Sequence, residues 1–339
     1  MDTKYFVDYL STLSSLAGKS IAITGTTTGT GFVLAKTVAH LGGQVLLLNR
    51  ASPRTKAPLE AITKVAEGAS APPPISIECD LMSLASTRKA ATELVTACPD
   101  GLDVLCNNAG IMFMAEKFTS DGYEQQLQVN HIAPFLLTKI VMPALEKAAS
   151  LRGEARIVQH SSIARNGGPL EAMYFSKGEP GALGGDVAKA RQKRYQQSKL
   201  ANVVFTYALH DRLLAKGSKV KALVAHPGMA ATELYTRAVD DGLMAIAGCI
   251  KIPHCLLQRM ALKNMMSIED GAMAIAMCCL DSKAESSQFY GPKGANGAAQ
   301  LLDPTDKKEG ACMPPGVADS PARVDLWTWS EAATEKFDL

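Results

Sequence analysis

The chain is short of several features that would assign its class at once. Its 35 basic and 33 acidic residues nearly cancel, leaving a net charge of +2. That balance gives no pull toward a polyanion, so no nucleic-acid partner is expected. The cysteines Cys79, Cys98, Cys106, Cys249, Cys255, Cys278, Cys279 and Cys312 form no Cys-x-x-Cys pair. Most sit in apolar runs, which reads as buried reduced thiols in a reducing compartment. The six histidines show no ligand spacing, so no metal site is expected. No uninterrupted apolar run is long enough to span a bilayer. The nearest, GLMAIAGCI, is cut by Lys251 and Pro253.

The N-terminus also lacks a signal peptide's apolar core, because Asp2, Lys4 and Asp8 interrupt it. It reads as a short amphipathic helix with Phe6, Leu10, Leu13 and Leu16 along one side, packed on the domain. Peripheral membrane contact is the lesser alternative. An intracellular, cytoplasmic protein is expected, with an organelle left open.

What is present is 47% hydrophobic residues in a chain of 339, enough for a large core. Short β-branched runs alternate with helical patterns. The runs SIAIT, QVLLLN, ISIEC, LDVLCN, ARIVQH and KVKALVAH read as strands. They show little polar–apolar alternation, so both faces are buried, and helices separate them. That pattern predicts a Rossmann-type α/β fold: a doubly wound parallel sheet of about seven strands with helices on both faces. One domain is expected over 1–339, with a C-terminal extension from about 296. Residues 167–186 read as a surface loop, 303–322 as loop, and 325–337 as a terminal helix docked by Trp327 and Leu326.

The first strand runs into TGTTTGTG, residues 24–31. Gly25, Gly29 and Gly31 fall where a chain turns tightly, nears a ligand and enters a helix, with Thr26, Thr28 and Thr30 between them. A helix N-terminus here would offer free N–H groups to a pyrophosphate. After the second strand, where an acid would hold an adenosine ribose, the chain has Asn49 and Arg50. No carboxylate repels a 2′-phosphate and Arg50 can bind one, so NADP(H) is expected over NAD(H). A merely solvated Arg50 is the alternative. Asp80 and Leu81 follow the third strand, where an adenine amino group could be held. Asn107, Asn108, Ala109 and Gly110 follow the fourth, letting backbone pass close to a cofactor.

In RYQQSK, Tyr195 and Lys199 stand at i and i+4, on one helix face. An ammonium beside a phenol favours the phenolate, so the pair could serve as a general acid/base.

Together these motifs, with Asn130 in VNHIAPFLLT, the serines of IVQHSSIA and HPGMAAT, resemble the short-chain dehydrogenase/reductase family over roughly 18–295. The resemblance implies Asn130, Ser162, Tyr195 and Lys199 as the catalytic group, with Ser162 rather than Ser161 in the catalytic place. Asn130 could hold a water joining Lys199 to solvent. Tyr195 and Lys199 would also meet the cofactor, Lys199 at the nicotinamide ribose. Pro227 and Gly228 would turn toward the nicotinamide carboxamide, and Thr232 would bind the diphosphate. The segment at about 229–266 would be a lid over an apolar substrate or, equally, core and dimer packing. The long Ser162–Tyr195 insertion resembles the retinol dehydrogenase and light-dependent protochlorophyllide reductase branches. The resemblance thus implies an apolar carbonyl or alcohol substrate and, weakly, a homodimer or homotetramer through the long helices. The alternatives are a light-driven C=C reductase and a non-catalytic NADP(H)-binding regulator.

Overall fold

The structure is a computed structural model, described for residues 3–240, 265–303 and 320–339. Its sheet has eight strands in the order β3-β2-β1-β4-β5-β6-β7-β8. They are β1 (Ser20–Thr24), β2 (Gln44–Asn49), β3 (Ile75–Glu78), β4 (Val104–Asn107), β5 (Ala155–His160), β6 (Val220–Ala225), β7 (Phe289–Pro292) and β8 (Ala299–Leu301). All neighbours are parallel except β7 and β8. The sequence reading missed β7 and β8. Each is three or four residues long, one contains Gly291 and Pro292, and neither has a periodic run to reveal it.

Successive residues of one strand serve opposite faces. Leu46 and Leu48 enter the core shared with α4 (Leu84–Ala97), α6 (Ala133–Arg152) and α7 (Ala188–Ala215). Val45 and Leu47 enter the core shared with α2 (Gly29–His40), α3 (Lys56–Gly68) and α9 (Ile268–Leu280). Each such fully buried side chain contributes roughly 1.5–3 kcal/mol. Both sheet faces are therefore helix-covered, as a parallel sheet requires.

The N-terminal helix is shorter than its pattern suggests: α1 spans only Phe6–Leu10. Phe6 and Tyr9 point inward, and Leu10 and Leu13 are only partly buried. A side chain from α9 anchors it. The Asp270 carboxylate accepts from the N–H groups of Lys4 (2.9 Å), Tyr5 (2.8 Å) and Phe6 (3.0 Å). Burial alone would raise that carboxyl, but these donors hold it below the usual range.

The insertion is less of a surface loop than its composition implies. Tyr174, Phe175 and Leu183 are buried within it. The C-terminal helix α10 (Ser320–Thr334) packs on α7 and α6 through Trp327, whose ring lies 5.2 Å from that of Phe135. It thus covers part of the long helices that the family resemblance assigns to subunit contacts. Among the described residues, no helix is long and apolar enough to cross a membrane and no three metal-ligating side chains cluster. The lid expected over 229–266 lies largely outside the described residues, as does most of 303–322; α8 (Glu233–Asp240) is its described beginning.

Candidate active site

Between β1 and β4 the strand order reverses, and adjacent connections leave on opposite sides of the sheet. A crevice opens there at the C-terminal strand ends. Its volume is about 640 Å³, and Gly25, Thr28, Asn49, Arg50, Asp80, Leu81, Ala109 and Gly110 are among its lining residues.

The floor of the crevice admits no extra atom. A Cβ on Gly31 would lie 2.3 Å from both Gly25 O and Asn108 Nδ2. A Cβ on Gly25, where φ is +71°, would lie 2.9 Å from the Ala109 Cβ. The glycine loop is thus pressed against the loop after β4.

Asn108 joins the two. Its amide donates to Thr24 O (2.9 Å) and Gly25 O (3.1 Å), and its oxygen accepts from Thr30 Oγ1 (2.9 Å). The same oxygen lies 3.0 Å from His160 Nδ1. Both amide hydrogens are engaged, so His160 must be the donor and carry its proton on Nδ1. Burial pushes His160 down to about 3, assisted by the nearby Lys199 charge, so it is neutral. The His160 carbonyl in turn accepts from Lys199 Nζ (2.8 Å) and Asn202 Nδ2 (3.1 Å). A bonded path therefore runs from the glycine loop to Lys199. The sequence reading missed His160, although its place at the end of β5, just before the serine pair, was a usable signal.

Several predicted cofactor residues have other work. Asn107 does not reach the crevice: its amide donates to Thr138 Oγ1 (3.1 Å) in α6, inside the core. It is the last residue of β4 and points to the helix side, so Asn108 makes the inter-loop bonds instead. Asn49 clamps the glycine loop, accepting from Thr26 N and donating to Thr26 Oγ1, each at 2.8 Å. Arg50 is exposed at the rim. Asp80 closes its own turn by accepting from Met82 N at 3.0 Å. Thr232 stands on the glycine loop: a Cβ on Gly29 would be 3.6 Å from its Cγ2. Pro227 and Gly228 form a turn packed against the loop after β7, where a Gly228 Cβ would lie 2.5 Å from Ala295 O. Arg54, also unforeseen, reaches from the rim to Glu233 in α8 at 2.5 Å.

Tyr195, Lys199, Ser162 and Asn130 do not line the crevice; Lys199 and Asn130 lie directly behind its lining residue Gly110. The Ser161 hydroxyl donates to Lys199 O (2.7 Å), while the Ser162 hydroxyl, which accepts from Ala164 N (3.2 Å), lies near the Tyr195 phenol. Lys199 Nζ lies 5.8 Å from the Tyr195 ring centroid. Asn130 sits in a π-helical turn, Gln128–Ile132, between α5 (Gln125–Leu127) and α6. A Cβ on Gly110 would be 3.2 Å from Lys199 Nζ and 3.3 Å from Asn130 Oδ1, so both atoms border one space. The Asn130 amide donates to Ile111 O and Ser198 Oγ, each at 2.9 Å, and its oxygen accepts from Ile111 N at 2.8 Å. Its side-chain donors are therefore structural.

The electrostatics differ from the simple expectation for a Tyr–Lys pair. Burial pushes the Tyr195 phenol up to about 12, and the nearby Ser162 hydroxyl offsets this only in part. Burial also pushes Lys199 down to about 7. Desolvation is the leading cause for both, because both groups are buried.

One residue before Tyr195, Arg194 is completely buried. It donates to Leu183 O (3.1 Å), Gly185 O (2.8 Å) and Met114 O (3.2 Å). It lies 3.5 Å from Glu116 and 3.4 Å from Glu124. Glu116 accepts from the N–H groups of Gly181 (2.9 Å), Leu183 (3.0 Å) and Gly185. The insertion is thus tied to the base of the tyrosine helix.

Residues 19–177 match the family model for short chain dehydrogenase. Polyprenol dehydrogenase of Homo sapiens is 32% identical over 214 residues, covering 63% of this chain and 61% of that protein. Retinol dehydrogenase 13 of Homo sapiens is 35% identical over 223 residues, covering 65% and 62%. The match spans about three fifths of these relatives' length. A crystal structure of an uncharacterized protein from Mycobacterium paratuberculosis superposes with a TM-score of 0.68 at 28% identity, covering 97% of this chain and 98% of that one. Over these residues the chain is similar to the short-chain dehydrogenase/reductase family of oxidoreductases. Within that family its likeness is to the retinol dehydrogenase-like branch.

Proposed function

We propose that the protein is an NADP(H)-dependent oxidoreductase exchanging hydride with the carbonyl, or corresponding alcohol, of an apolar substrate. The observation that carries this reading is the Tyr195 phenol beside Ser162 and Lys199, with Lys199 behind Gly110 of the crevice lining. The crevice fits a dinucleotide: a Cβ on Gly25 or Gly31 would break the packing of its glycine loop, and the N-terminus of α2 opens onto it. Gly25, Thr26, Thr28, Gly31 and Thr232 would hold the pyrophosphate, Asp80 and Leu81 the adenine, and Lys199 the nicotinamide ribose. Pro227 and Gly228 would face the carboxamide. Arg50, with no acid beside it, favours a 2′-phosphate.

When bound, the nicotinamide supplies or accepts the hydride. The chain's own residues handle the proton. A phenol near 12 is protonated at neutral pH, so Tyr195 stands ready as the acid that a nascent alkoxide needs. Ser162 would hydrogen-bond that oxygen as its charge grows. Lys199 lies close enough to stabilise a phenolate once the proton has left. In the reverse direction Tyr195 must be deprotonated, so alcohol oxidation should rise with pH while reduction stays flatter. Ile111, Met112, Met114 and Val129 make the inner end of the crevice apolar, which supports an apolar substrate. Leu234 of α8 also lines it.

The test is NADPH consumption against a panel of retinoid, steroid, aliphatic and aromatic aldehydes and ketones, beside dissociation constants for NADPH and NADH. Turnover of an apolar carbonyl with tighter NADPH binding is expected. Equal affinity for the two cofactors would overturn the NADP(H) preference, and no turnover of any carbonyl would overturn the reaction.

A further inference from the structure

We infer that the C-terminal helix is part of the active-site scaffold, with Ser330 acting through His131 to fix the turn that presents Asn130. The inference rests on the reading of Asn130 as a catalytic group.

His131 follows Asn130 within the π-helical turn and is 1% exposed. Its Nε2 lies 2.8 Å from Ser330 Oγ. The Ser330 hydroxyl already gives its own hydrogen to Leu326 O at 2.7 Å. The serine oxygen must therefore accept, and His131 must carry its proton on Nε2. Its Nδ1 has no partner, which fits a neutral ring in an apolar site.

Three separate segments close on this one ring. Phe135 and Phe205, from α6 and α7, lie 6.3 and 5.9 Å away. Phe175, from the insertion, meets it edge-on at 5.8 Å. Phe175 also stacks on Trp329 of α10 at 5.4 Å. A second tie runs from Lys139 Nζ in α6 to Thr334 O at 2.9 Å. A π-turn carries one residue more than the α-helical register and does not persist on local bonding alone. Inside, the Asn130 amide bonds to Ile111 and Ser198 hold it; outside, among the described residues, the side-chain hydrogen bond on His131 is to Ser330. Ser330 touches no reacting group, so it is a positioning residue.

The test uses the full-length chain with Ser330→Ala, which removes the acceptor, and Ser330→Thr, which keeps it. Amide hydrogen exchange is followed by mass spectrometry in peptides covering 125–133, with 155–160 and 188–215 as internal references. NADPH turnover is measured on the best carbonyl of the panel. Ser330→Ala should speed exchange at 128–133 by about tenfold, the scale of one buried hydrogen bond, with the references unchanged. The kcat should fall by a similar factor of about ten while KM for NADPH stays within about twofold. Ser330→Thr should match the wild type in both. Unchanged exchange at 128–133 would overturn the inference. Equal acceleration in all peptides, or equal effects of Ala and Thr, would also overturn it. If the wild type turns over no carbonyl, the proposed reaction fails, and the exchange comparison still decides whether Ser330 holds the turn.

Discussion

Around the glycine loop the joining groups are neutral: the Asn49 and Asn108 amides and the Thr24, Thr26 and Thr30 hydroxyls. Around the insertion they are charged, with Arg194 buried between Glu116 and Glu124. The difference follows from what each side must do. A loop that faces a pyrophosphate is best held by dipoles, which orient its N–H groups without adding a fixed charge to compete with the ligand. A long insertion costs ordering entropy and has little repetitive structure to hold it. Arg194 answers with a guanidinium that reaches three separate carbonyls, while Glu116 collects three N–H groups of the same loop. The neutral side should respond to shape, and the charged side to charge and pH.

The largest expected effect is on the charged side. Arg194→Met strands two buried carboxylates and should cost about 3–5 kcal/mol in urea unfolding. A loss under about 1 kcal/mol would mean that the loop is held by packing instead. On the neutral side, Gly31→Ala should cost about 1–3 kcal/mol, because its Cβ meets backbone at 2.3 Å, and should weaken NADPH binding in a fluorescence titration. Unchanged affinity would break the link between the loop's shape and cofactor binding.

A pH series sharpens the contrast further. Burial, opposed by the Leu127 N–H, Arg194 and the Gln126 N–H, pushes Glu124 up to about 7 from an ordinary 4.5. The folded state therefore binds this proton more tightly than the unfolded one. Its contribution is fully present below about 4.5 and is lost as pH rises through about 7. Glu124→Gln should flatten that part of the stability–pH curve, as read by thermal unfolding across the window. An unaltered curve would assign the slope elsewhere. The smallest effect belongs to the rim. Glu233→Gln breaks exposed pairs with Arg54 and Arg237 and should change stability by no more than about 1 kcal/mol, less in high salt.

The same division explains what was legible in the sequence. The strand ladder could be read because Ile21, Val45, Leu46, Leu47 and Leu48 are buried on alternate faces, leaving near-continuous apolar runs. The glycine loop and the Tyr195–Lys199 pair are local, three to eight residues long, and their spacing carries their geometry. What could not be read depends on partners far along the chain. Asn107 and Asn108 are adjacent, and only the end of β4 decides which faces the crevice. Arg194 resembles a solvated charge until Glu116 and Glu124 close on it from more than sixty positions away. The fall expected for the Tyr195 phenol came from the ammonium of Lys199 beside it. Burial of both groups, a property of the folded chain, reverses its sign.

On the proposed mechanism Tyr195 transfers the proton beside the crevice. The most direct test is Tyr195→Phe, assayed for turnover on the best carbonyl of the panel and for NADPH binding in the same preparation. The kcat should fall by about 10²–10⁴, the usual worth of a general acid, with the NADPH dissociation constant essentially unchanged. Turnover that survives the loss of the hydroxyl would contradict it.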